Sequence, residues 1–91
     1  MAHINENRAA LISRVRRIAG QVAAIERAIE HELDCSEVLH QVAGMRGAVN
    51  GLMETLLADH IRQHVAAPGL SQAARAAAGA ELVALLRRYG K

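Results

Sequence analysis

The chain has no tryptophan, no phenylalanine, one tyrosine, one cysteine and one proline among its 91 residues. A single cysteine, Cys35, excludes a disulfide within the chain. Seven glycines and one proline leave too few turn formers for an all-β fold. No apolar run approaches the length of a membrane span, and the near-absence of aromatic residues argues against a helix lying on a membrane surface. The first residues lack the basic start, apolar centre and cleavage pattern of a secretory signal. Together with the lone thiol, this leads to the expectation of a reducing cytoplasm.

What is abundant is alanine. Nineteen of the residues are alanine, within a 52% apolar composition. Alanine buries little area, so a monomer of this size would have a thin core. Small chains of that kind are normally completed by disulfides, metals or partner subunits. With disulfides excluded, self-association is expected, with or without a metal. The length is that of one domain, spanning residues 1–91.

Charge is distributed unevenly although the net value is only +2. The stretch from Arg8 to Ala24 holds Arg8, Arg14, Arg16 and Arg17 and no acid, whereas five of the nine acids fall between Glu26 and Glu37. Ten of the eleven cations are arginine, whose planar fork matches phosphate oxygens. A basic patch beside an acidic one points to an anionic partner.

Hydrophobic spacing predicts three helices and an all-α fold. The first runs from about Asn5 to His31, with Leu11, Val15, Ile18, Val22, Ile25 and Ile29 at alternating steps of four and three. Arg14 and Arg17 fall on one side of that seam and Arg16 points elsewhere. The second helix starts near Asp34, which with Glu37 forms a capping-box pattern, and continues to about Val65. Its seam is Val38, Val42, Met45, Val49, Leu52 and Leu56, while Gly44, Gly47 and Gly51 line one side and favour a close helix approach. Pro68-Gly69 ends it, and Ser71 caps a third, alanine-rich helix through about Arg88. Two long helices with seams on more than one face cannot hide them within one chain. The expected architecture is therefore a helical bundle of several chains.

The chemistry lies in one cysteine and three histidines. His60 and His64, four residues apart on the second helix, project from one face and can reach a common metal ion. Cys35 is 25 residues before His60, roughly 37 Å along a continuous helix, so one copy of that helix cannot chelate with both ends. Antiparallel pairing with a second copy would bring Cys35 of one chain to His60 and His64 of the other, giving two symmetric sites. His3, beside an Ala2 amine once Met1 is removed, is a candidate fourth ligand, although the residues alone favour a plain unstructured start, and Cys35 alone reads equally well as a small buried hydrophobe. His31 and His40 have no partner at ligand spacing.

Four segments carry a resemblance: Arg14-Val15-Arg16-Arg17-Ile18-Ala19-Gly20-Gln21-Val22, Cys35-Ser36-Glu37-Val38-Leu39-His40-Gln41-Val42, Arg46-Gly47-Ala48-Val49-Asn50-Gly51-Leu52-Met53, and His60. Together they resemble the CsoR/RcnR/FrmR family of bacterial repressors over nearly the whole chain. The resemblance implies a three-helix protomer in a dimer-of-dimers homotetramer. It also implies double-stranded operator DNA as the partner, held without effector and released when the effector binds, so that an export or detoxification gene is switched on. Arg14, Arg16 and Arg17 would then lie on the DNA-binding face.

Within the family, copper sensors have a second cysteine where this chain has His64, and soft Cu(I) favours that thiolate. Nickel/cobalt sensors resemble the set His3, Cys35, His60 and His64, and all four are present. The implied effector is Ni(II) or Co(II), with Zn(II) also compatible with a Cys-His-His site. Formaldehyde sensors share the cysteine but start with proline after Met1 and lack a histidine at the His64 position, so Ala2 and His64 depart from that pattern. An amine near Cys35 still leaves aldehyde cross-linking as the alternative. An enzyme with Cys35 as nucleophile and His60 as base is disfavoured, because nothing supplies an oxyanion hole or a pocket. A purely structural bundle would show no metal dependence.

Overall fold

In the computed structural model, residues 7–90 are described, and their order is α1 (Arg8–Glu30), α2 (Cys35–His64) and α3 (Gln72–Tyr89). No strand occurs among these residues. The chain divides into two compact units. One contains α1 and α2 as far as Thr55, and the other begins at Leu56 and contains the end of α2 and α3.

In the first unit, α1 ends in a tight reversal. The Leu33 amide bonds the Ala28 carbonyl at 2.9 Å and the Glu32 amide bonds the Ile29 carbonyl at 3.1 Å, the paired bonds of a Schellman motif. That motif places Glu32 in the left-handed region, φ 54°, where glycine is the usual occupant. The capping box expected at Asp34 and Glu37 takes another form. Asp34 Oδ2 accepts the Ser36 hydroxyl at 3.2 Å, and the Glu37 and Val38 amides go to the Asp34 carbonyl instead.

The two seams are each split along their length. On α1, Leu11 is sealed (4% exposed) and Ile18 and Ile25 are half-buried, yet Val15, Val22 and Ile29 are exposed. On α2, Val38, Met45, Leu52 and Leu56 are half-buried, whereas Val42 and Val49 are exposed. A seam of this width can meet two neighbours, and one hairpin partner covers only one flank. Among the described residues Leu11 and Ala28 are the only buried apolar residues, and neither is wholly out of reach of solvent. The exposed flanks are the area a thin-cored chain leaves for further contacts.

In the second unit, α2 runs out at His64 and the Val65 and Ala66 amides both bond the Ile61 carbonyl. Gly69 takes φ 84°, a value that favours glycine, directly after Pro68. The Arg75 guanidinium donates to the Ala67 carbonyl at 3.1 Å, tying α3 to this loop. Ser71 caps α3 as its sequence position predicts, its Oγ accepting the Ala74 amide at 3.0 Å. No helix of the described residues is long and apolar enough to cross a membrane.

Candidate metal pair and basic groove

The last turns of α2 set His60 above His64. The ring centroids are 5.0 Å apart and the planes are inclined by 43°. Each ring turns a buried Nε2 that has no hydrogen-bond partner among the described residues. Leaving two ring nitrogens dry and unpaired is costly, on the order of 1–3 kcal/mol apiece. Two orphan nitrogens on neighbouring rings are what a metal ion or a further donor would satisfy.

Next to His60 in the chain is Asp59, buried at 3% exposure and ion-paired with Arg62 one turn on. Sequence reasoning passed over Asp59, since a lone acid on an amphipathic helix reads as a solvated residue.

The remaining proposed ligands are placed differently. Cys35 is the first residue of α2 and its thiol is free and exposed. His3 lies outside the described residues. Among the described residues no three His, Cys, Asp or Glu side chains gather into a set able to hold a metal. A single chain therefore presents the histidine pair and, separately, a thiol.

The arginines form a second feature, in the first unit. Arg14 and Arg17 line an open groove of about 450 Å³ together with Ala10 and Ser13 of α1 and Gly47, Ala48 and Gly51 of α2. Arg16 is exposed on α1 and is not part of that lining. Gly51 makes room for Arg14: a Cβ added there would stand 3.3 Å from the Arg14 Nη1. By contrast, a Cβ at Gly44 or Gly47 meets nothing within 4 Å in the chain. Within the chain, then, Gly51 makes room for a guanidinium, while Gly44 and Gly47 face open space. No ion pair among the described residues engages Arg14, Arg16 or Arg17, so their charge is available to an external anion. The groove-lining residues Ser13 and Ala48 were not legible in sequence, because small residues carry no pattern beyond helix propensity.

One unit thus carries an arginine-lined groove and the other a histidine pair with buried Nε2 atoms. The chain belongs to the metal-sensitive transcriptional repressor family, whose profile matches residues 7–88. Its members are transcriptional repressors that bind DNA and are not enzymes. The chain is 45% identical, over the full length of both, to an uncharacterized protein of the bioA 5' region of Serratia marcescens. It is 36% identical over 69 residues to a transcriptional repressor RcnR homolog of Escherichia coli O139:H28, covering 76% of this chain and 77% of that one. Among solved structures it is similar to a glutamate-to-histidine variant of the formaldehyde-responsive regulator FrmR from Salmonella enterica serovar Typhimurium. The identity is 41% and the TM-score 0.88, with 97% of this chain and 99% of that chain covered.

Proposed function

We propose that the chain is a nickel- or cobalt-responsive repressor that holds operator DNA when metal-free and releases it on metal binding, so that a metal efflux gene is expressed. The observation that carries this reading is the pair of buried, unpartnered Nε2 atoms on His60 and His64. Cys35 of a second copy supplies a thiolate and His3 a further nitrogen. One thiolate among several nitrogens suits Ni(II) or Co(II), and also admits Zn(II). Among the described residues no three such ligands gather within one chain, so in this reading the site is shared across an antiparallel α2 pair, and two such dimers form the tetramer. The exposed flanks of α1 and α2 support that assembly.

Operator binding rests on Arg14 and Arg17 at the groove, with Arg16 beside them. Phosphate contacts of this kind give affinity and salt dependence, while sequence choice comes from the shape of the duplex. Metal and DNA then act on one equilibrium. A metal that stabilises the assembly unfit for the duplex weakens DNA binding, and DNA weakens metal binding by the same factor.

The second reading is a formaldehyde-responsive repressor, favoured by the similarity to the FrmR variant and by the exposed Cys35 thiol. There the thiol and an N-terminal amine would be joined through the aldehyde carbon, with loss of one water. Titration of the reduced protein with Co(II) or Ni(II), followed by optical absorption, separates the two. A thiolate-to-metal charge-transfer band is expected, absent in Cys35→Ala and altered in His64→Ala. No band, together with a one-carbon mass increment after formaldehyde treatment, would refute the metal reading in favour of the aldehyde one.

A further inference from the structure

Leu39, Val42, Arg46, Val49 and Met53 follow one another along α2 at steps of three and four, so they share one stripe of the helix. The four apolar members are all solvent-exposed within the chain. Arg46 is the single charge in that stripe. It has no ion-pair partner among the described residues, and neither has the exposed Glu54, which follows Met53 and stands on the flank of the stripe.

A lone charge in an otherwise apolar seam is a device for choosing orientation and register, because only some pairings give it a partner. We propose that, in the antiparallel α2 pair already set out, Arg46 of each chain is held by Glu54 of the other. The proposal rests on the shared-site reading above, which supplies the register. With Cys35 set opposite the span from His60 to His64, residue 46 lies opposite the span from Val49 to Met53.

Glu54 is then within one to five residues of the facing point, about 2–8 Å along the axis and within reach of an arginine side chain. Two-fold symmetry makes the pair twice. Val42 of each chain falls opposite the span from Met53 to Leu57, and Val49 meets the region around its own copy, so the apolar members cover one another. Parallel, in-register pairing would instead set Arg46 against Arg46 in a seam stripped of water, which like charges disfavour. The pair therefore keeps Cys35 of one chain at the histidine end of the other.

The test is a charge-reversal cycle on the full chain, read by sedimentation and by the Cys35-dependent Co(II) band. Arg46→Glu and Glu54→Arg are each expected to weaken dimerisation about tenfold or more. At concentrations where the unsubstituted protein shows the Co(II) band, each would lose it. Arg46→Glu combined with Glu54→Arg should recover assembly and the band. Single variants that assemble like the original chain would overturn the proposal. So would a double variant no better than the two single losses combined. If the unsubstituted chain assembles but shows no Cys35-dependent band, the metal reading fails, and the sedimentation cycle still decides the ion pair.

Discussion

Replacing Arg14 by alanine isolates the charge that the groove contributes to operator binding. The Arg14 guanidinium lies over Gly51, on a groove it shares with Arg17 and with no carboxylate of the described residues to neutralise it. Each guanidinium that meets a phosphate releases a counterion and adds about 0.9 to the slope of log K against log salt. With two protomers on one duplex, Arg14→Ala removes two contacts and flattens that slope by about 1.8. At about 0.15 M salt the same two contacts correspond to a loss of roughly 30-fold in affinity. Arg14→Lys should keep most of the slope, since the charge remains although the fork is lost. Arg75→Ala is the control, because that guanidinium is engaged at the Ala67 carbonyl. Fluorescence anisotropy on an operator duplex at four or five salt concentrations gives the slopes, and a Co(II) titration of the same variant shows whether the metal site is intact. An Arg14→Ala protein with an unchanged slope would refute the assignment of the groove to the phosphate backbone.

Two local substitutions test the architecture. Ser71→Ala removes the side-chain acceptor for the Ala74 amide and should cost about 1 kcal/mol, read as a lower thermal midpoint, with the loss of helix signal confined to α3. Glu32→Gly relieves the left-handed strain at φ 54° and should raise stability by about 0.5–1 kcal/mol in a denaturant titration. No gain there would mean that the Glu32 side chain itself holds the reversal.

Much of the architecture was legible in the residue order. The step of three and four marked α1 and α2 within a few residues of their observed ends, and Ser71 announced the start of α3 because a hydroxyl before a helical stretch has a free amide to cap. The Asp34 pattern misled for a related reason, since a nearby hydroxyl at Ser36 competed for the carboxylate. Of the candidate site, the adjacency of His60 and His64, one turn apart, was legible by spacing alone. Asp59 was not, because burial of an acid depends on what packs over it and leaves no mark in sequence.

The sequence by itself determined which segments are helical, where they stop, which side chains can ligate a metal and that arginine dominates the cations. Those properties follow from backbone preference, periodicity and side-chain chemistry, all of them local. Tertiary structure alone decided which flank of each seam is covered. It left Val15, Val22, Val42 and Val49 bare while sealing Leu11 and Ala28. It also laid Arg14 over Gly51 and turned the two Nε2 atoms into dry, unpartnered positions. Burial and mutual approach are properties of two surfaces at once, and a helix carries in its own residues only one of them.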